Sequence, residues 1–423
     1  MLNLLLAGVF IQSVAPHEFY DYLAIKDSSF KFEYRNQSKG EVEMTSQTWQ
    51  GHPWKHTILL RQPSKLRTRG TAILFITGDG PFPGDYLDLT LITEATGMPT
   101  AMLFDIPNQP LYGKKEDDLI AHTFEEYLAT GDATWPLLFP MAKSAIRAMD
   151  TVVALTKSSA NPIRNFVVTG ASKRGWTTWF VGASKDKRVK GIAPMVIDNL
   201  NVPKQMKHQM DSWGAYSEEI QDYTRRGLQE KLSAPTGRRL GEIVDPYSYR
   251  SNIKVPTLIV KGANDPYWTV DALSQYWDDL RQPKWVVTVP NAGHGLGNKV
   301  EAAESIGAFA RSIAGDFPMP KQTWSISEIP GSTRALKVSL TTKGPALSKL
   351  TVWVAESENL DFRDSKYVVA GALSVSGGKP GTSSPSILVP ISSTKNSAVF
   401  AEARYQVGKR EFSLCCPTQV FRK

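Results

Sequence analysis

Val167-Val168-Thr169-Gly170-Ala171-Ser172-Lys173-Arg174-Gly175 is an apolar run that passes through small residues into a serine, and the residues after it favour a helix. A hydroxyl at a tight strand-to-helix turn is lifted above the sheet. It also lies beside a helix N-terminus, where backbone N–H groups can stabilise an oxyanion. The turn needs small residues because its backbone is strained and a neighbouring strand passes close by. The familiar spacing is G-x-S-x-G; here Arg174 occupies the second glycine position and Gly175 comes one residue later. Taken alone, the stretch also fits a serine that merely caps a helix.

Outward from this stretch the same unit recurs. Residues 72–76 are a short apolar run ending in Thr77-Gly78-Asp79-Gly80, and residues 100–104, 189–197, 255–261 and 285–290 repeat the pattern. Continuous apolar runs that stop in loops suit strands buried on both faces of a parallel sheet. Helical spacing over 141–157, 173–183 and 301–314 supplies the alternating helices. Residues 42–49 and 54–60 alternate as antiparallel strands. Two insertions, about 107–140 and 201–252, follow strand C-terminal ends, where ligands bind in open α/β sheets, and are expected to cap a site. After Phe317-Pro318-Met319-Pro320 the chain turns rich in Ser, Thr, Val and Gly. Alternating segments at 335–340, 350–355 and 397–405 predict a small antiparallel β-sandwich over 319–423.

Two further strand ends carry chemistry. Residues 255–261 run through Gly262-Ala263-Asn264 to Asp265, and residues 287–290 run through Asn291-Ala292-Gly293 to His294. Ser172, Asp265, His294 is the chain order of an α/β-hydrolase triad, so residues 16–318 are expected to form an α/β-hydrolase-like domain. In that arrangement neutral His294 takes the serine proton, and Asp265 fixes the imidazole tautomer. Asp198, after the preceding strand, is a rival acid or a polar residue at the cleft edge. The Lys173 N–H and the Gly78-Asp79-Gly80 turn are the expected oxyanion hole; the glycines equally suit an ordinary turn. Arg174, with Trp176 and Asp198, is a candidate substrate contact. A cation beside the nucleophile either holds a substrate carboxylate or closes an internal salt bridge, to Asp198 or Asp79.

Other chemistries find little support. His122 and His208 lie in the insertions without metal-ligand partners at useful spacing, and no phosphate-binding or dinucleotide loop is present, so no metal or cofactor is expected. The net charge of +8 suits an anionic substrate, but the basic residues are dispersed and form no long run with interleaved aromatics, against a nucleic-acid partner. Cys415 and Cys416 are adjacent, where ring strain disfavours a disulfide, so no disulfide framework is expected. No apolar run approaches the ~20 residues of a membrane span. Residues 1–15 are apolar and end in Ser13-Val14-Ala15, small residues at the positions a signal peptidase reads, but no basic residue precedes them. They are read as a signal segment, giving a secreted or periplasmic protein; the alternative is an apolar N-terminal helix or strand.

Several stretches carry a resemblance. Residues 44–49 (Met-Thr-Ser-Gln-Thr-Trp), 106–111 (Ile-Pro-Asn-Gln-Pro-Leu), 127–132 with Trp135, 148–150, 170–176 and 194–201 resemble the PhoPQ-activated pathogenicity-related proteins over about residues 18–315. The resemblance implies an exported protein with an α/β-hydrolase core. The serine turn is also similar to that of glucuronoyl esterases, which place an arginine directly after the serine; Lys173 stands there in this chain. The leading expectation is a serine hydrolase acting on an ester or amide of a peptide, an acylated glycan or a lipid-like molecule. The alternatives are a secreted binding or signalling protein with a vestigial site, and a glycan-binding protein whose sandwich carries the function.

Overall fold

A computed structural model describes residues 14–423 except 233, 298, 332–333 and 376–378. The expected signal segment therefore lies outside the described residues, apart from its last two positions. The chain opens with α1 (Glu18–Ala24) and three antiparallel strands, β1 (Lys31–Asn36), β2 (Glu41–Trp49) and β3 (His52–Arg61). Next come β4 (Thr71–Ile76), α2 (Pro83–Thr96), β5 (Thr100–Leu103), α3 (Glu116–Thr130), α4 (Leu138–Thr156), β6 (Asn165–Ala171), α5 (Lys173–Ala183) and β7 (Val189–Met195). The second insertion is helical: α6 (Val202–Trp213), α7 (Gln221–Thr224), α8 (Leu228–Lys231) and α9 (Pro235–Val244). β8 (Thr257–Gly262), β9 (Lys284–Val289) and α10 (Lys299–Ile313) complete the α/β region.

The strands β5, β4, β6, β7, β8 and β9 lie side by side in parallel, with β3 joining β5 antiparallel. Nearly every residue of β4 to β8 is buried, as expected of strands covered on both faces. The chain leaves β4 for β5 on one side and returns to β6 on the other. The sheet therefore reverses its winding between β4 and β6, and Ser172 follows the C-terminal end of β6, where such sheets open a crevice. Helices α4 and α5 pack together on one face, while α2 and α10 pack together on the other. Phe19 of α1 joins Phe139, Phe180 and Tyr249 in an aromatic cluster, with ring centroids 5.0 to 5.8 Å from Phe19, which docks the N-terminal helix.

The C-terminal region is a β-sandwich. Its strands are β10 (Lys321–Ile329), β11 (Ala335–Gly344), β12 (Ala346–Ser357), β13 (Val368–Ser374), β14 (Gly381–Ser383), β15 (Ser386–Pro390), β16 (Asn396–Val407), β17 (Arg410–Cys415) and β18 (Gln419–Phe421). One sheet holds β10, β11, β14 and β15. The other, β17-β16-β12-β13, continues the central sheet across β9, where Cys415 pairs with Val286. Cys415 and Cys416 are free, buried thiols, and burial pushes the Cys416 thiol up to about 12. Their backbone-facing sulfurs accept N–H bonds from Thr288 and Ala401. The cysteines are thus packing residues at the joint between the two halves. No described helix is long and apolar enough to cross a membrane.

Candidate active site

Ser172 sits between β6 and α5 with φ 58° and ψ −128°, a conformation that non-glycine residues adopt only under strain. Its N–H donates to Met195 O at 2.9 Å, and its carbonyl accepts the Trp176 N–H at 2.9 Å. The small neighbours are sterically required. A Cβ on Gly170 would stand 2.8 Å from the Arg174 carbonyl oxygen; one on Gly175 would stand 2.7 Å from both Met195 O and the Ile197 side chain. Gly175, displaced by one from the familiar spacing, is therefore what lets α5 lie against the end of β7. The N–H groups of the first helical residues, Lys173 among them, have no partner within the helix and lie beside the serine.

Asp265 and His294 follow β8 and β9, and they are paired. His294 Nδ1 lies 3.1 and 3.0 Å from the two Asp265 carboxylate oxygens. Asp265 is 6% exposed and also accepts the Tyr267 N–H at 3.1 Å. A proton on Nδ1 pointed at this carboxylate leaves Nε2 as the acceptor of the neutral ring. Nε2 is buried and has no hydrogen-bond partner among the described residues, Ser172 included. The Tyr267 ring stacks on the imidazole at 4.1 Å and 30°. Two cap residues fix that segment: Gln209 donates to Tyr267 O at 2.9 Å and Ser217 to Pro266 O at 2.8 Å.

Ser172 and His294 line one cavity, with about 820 Å³ of free space open to solvent. Both insertions contribute to its walls, through Asp117 and Phe124 from the first and Val202, Ile220, Tyr223 and Leu232 from the second. The insertions are bound to each other by ions. Arg225 and Arg226 pair with Asp118, Arg226 also with Glu125, and Tyr223 donates to Asp117 at 2.9 Å. The sandwich reaches the site as well. Asn264, next to Asp265, donates to the carbonyls of Phe362, Arg363 and Ser365 at 3.0, 3.2 and 2.8 Å. Asn291, three residues before His294, exchanges two bonds with the Tyr367 backbone at 3.0 and 2.7 Å.

The remaining expected site residues have other engagements. Arg174 is buried, and its internal salt bridge goes to neither Asp198 nor Asp79. Its guanidinium grips both oxygens of Glu116 at 2.6 and 2.7 Å and donates from Nε to Ile106 O at 2.5 Å. Lys173 Nζ lies 2.8 Å from Glu116 and 2.9 Å from Asp117. Burial alone would raise the Glu116 pKa, but the Arg174 and Lys173 contacts outweigh it and hold the carboxyl down at about 2. Asp198 is locked between Lys261 Nζ and Tyr276 OH, each at 2.5 Å, behind the strand ends. Trp176 lines the cavity and donates to Val244 O at 2.9 Å. Gly78, Asp79 and Gly80 are not among the residues lining it. Gly78 packs on the Arg174 guanidinium and Gly80 on the Phe104 ring, while Asp79 takes bonds from Gln109 and Lys115. His208 pairs with Asp271 at 2.7 Å, and no group of three metal-ligating side chains occurs among the described residues.

Sequence reasoning missed Glu116, Asp117, Tyr267 and Asn264. Lys114-Lys115-Glu116-Asp117-Asp118 looks like a solvated charge run, and only its place in an insertion opposite two consecutive cations could have drawn notice. Tyr267 and Asn264 flank Asp265 in sequence, which was the available signal.

The family model for PhoPQ-activated pathogenicity-related protein matches residues 19–363. The chain belongs to this family. Among curated proteins it is similar to autocrine proliferation repressor protein A of Dictyostelium discoideum, 31% identical over 395 residues, covering 87% of this chain and 79% of that one. Among solved structures it is similar to an acetyl xylan esterase from Paenibacillus sp. R4, with TM-score 0.49 and 16% identity over 71% of this chain and 98% of that one. An acetyl xylan esterase from Thermoanaerobacterium sp. JW/SL YS485 matches with TM-score 0.43 and 13% identity over 67% and 90%. What this family member keeps at its sheet edge is a strained serine, a carboxylate-bound histidine and a cap of two insertions.

Proposed function

We propose that this protein is a serine hydrolase that cleaves an ester or amide through an acyl-enzyme. The observation that carries the reading is the Asp265–His294 pair, whose imidazole lines the same cavity as the strained Ser172 and keeps Nε2 unbonded among the described residues. Ser172 Oγ attacks the carbonyl carbon while its proton passes to His294 Nε2. The tetrahedral oxyanion takes the Lys173 N–H; a second donor in the 78–80 turn would require that turn to approach the cavity. The bond to the leaving group then breaks, and His294 returns the proton to the departing oxygen or nitrogen. Water repeats the sequence on the acyl-enzyme, releasing the acid and restoring both side chains. Ser172 Oγ and His294 Nε2 must come within hydrogen-bond reach for this chemistry, as is common where catalytic hydrogen bonds tighten only with substrate bound. Asp265 holds the tautomer and stabilises the transient imidazolium.

A fluorophosphonate probe tests the reading directly. Adduct mass on the Ser172 peptide, lost in His294→Ala and Ser172→Ala, is the expected result, and each substitution should lower kcat by about 10⁴-fold or more. Folded protein that stays unlabelled at neutral pH refutes it. That outcome would favour a second reading, in which a secreted signalling protein keeps a vestigial site; the name of the Dictyostelium relative motivates it.

A further inference from the structure

The cavity beside Ser172 also bears on the substrate. Its walls are the side chains of Phe124, Trp176, Val202, Ile220, Tyr223 and Leu232, among others. Phe124 stands 6.3 Å from the Trp176 ring and 6.1 Å from that of Tyr223, so one flank is an aromatic wall. Lys173 is the single Lys or Arg among the described residues lining the space, and its Nζ is spent on Glu116 and Asp117. Asp117, the one carboxylate there, gives one oxygen to Lys173 and the other to Tyr223. The charges cancel before any ligand arrives. Beyond His294 Nε2, the lining residues carry only three buried polar atoms without partners, at Asn199, Gln229 and Trp268. A space with this lining suits the hydrocarbon body of a small ligand.

We infer that the substrate is a neutral ester or amide bearing an apolar group that occupies this cavity. The inference rests on the hydrolase reading of the site and replaces the anionic substrate that the net charge alone suggested. An anionic tail would meet a lysine already neutralised and would leave water with no free cation in exchange, the Trp268 N–H being the one indole donor left unpaired among the described residues of the lining. A hydrocarbon chain gains with each buried methylene.

The test uses the full-length protein and p-nitrophenyl esters of acetate, butyrate, hexanoate and octanoate, with the monoester of adipate as the anionic counterpart of hexanoate. The expected result is a rise in kcat/KM of about two- to fourfold per methylene, with the adipate ester at least about tenfold below hexanoate. Ile220→Trp, which places an indole in the cavity, should lower the octanoate-to-acetate ratio about tenfold. Binding measured without turnover keeps the two ideas separable. Ser172→Ala protein should bind octanamide at least about tenfold more tightly than butanamide by calorimetry, and should bind adipamate at least about tenfold more weakly than hexanamide. Flat chain-length dependence, or equal binding of the charged and neutral amides, overturns the inference even where Ser172 takes the fluorophosphonate. Tight octanamide binding by a protein that takes no label would sink the hydrolase reading and retain the apolar ligand.

Discussion

Arg174 and Glu116 show how a residue beside the proposed nucleophile can serve the fold. Two parallel N–H···O bonds hold a buried guanidinium against a carboxylate from the other side of the cleft. Arg174→Ala should therefore act through stability, leaving Glu116 half-buried and short of a partner. The expected loss is about 2 kcal/mol at pH 7, smaller than for a fully buried pair because Glu116 remains partly in water. Because the folded pKa is depressed, the contribution is complete above the ordinary glutamate range and fades as pH falls from about 4.5 towards about 2. Urea unfolding of wild type and variant should differ at pH 7 and converge near pH 2. Hydrolysis of acidic and neutral esters should fall by similar factors; a selective loss on acidic esters would restore the arginine as a substrate contact.

At the scale of elements, the cap is fastened by charge. Asp118 at the start of α3 receives Arg225 and Arg226, which follow α7, and Glu125 receives Arg226 and Lys231. Short helices such as α7 and α8 cannot hold themselves and depend on such contacts. Asp118→Asn removes both arginine pairs to that residue without changing shape. Amide protection across residues 221–232 should fall about five- to tenfold by hydrogen exchange, while protection in β6 stays unchanged. Equal loss in β6 would mean that the cap and the sheet open as one unit.

For the whole molecule, the decisive feature is the continuity of the sheet through β9 into β17. It carries the β12–β13 loop back over the turns that bear Asp265 and His294. Arg363 on that loop also pairs with Glu218 and stacks over Trp213 of the cap, at 4.3 Å from the ring centroid. The sandwich thus braces the acid, the histidine and the cap together. On the proposed hydrolase mechanism, Asn264→Ala should lower kcat about ten- to hundredfold while KM changes less than about threefold, because small displacements of Asp265 would be costly to the chemical step. Steady-state kinetics beside an unfolding curve would show the split, and an unchanged kcat would make the sandwich a passenger.

The linear chain determined the parallel strands of the α/β half, three of its helices and the strand ends at Ser172, Asp265 and His294, but did not mark β1 or α2. Local apolar runs, glycine stops and helical spacing are written within windows of ten to fifteen residues, and the order of strand ends follows from chain order. Helix α5 falls on the residues expected of it, Lys173–Ala183. Even the off-spacing Gly175 was visible, although its steric purpose was not. Tertiary structure alone decided which charges meet. Glu116 is 58 positions from Arg174, and no periodicity in either segment marks them as partners. The same holds for the joint at Cys415 and Val286 and for the three carbonyls gathered by Asn264. These contacts depend on how separately folded segments close over one another, and that closure is set by shape and burial summed over the whole core.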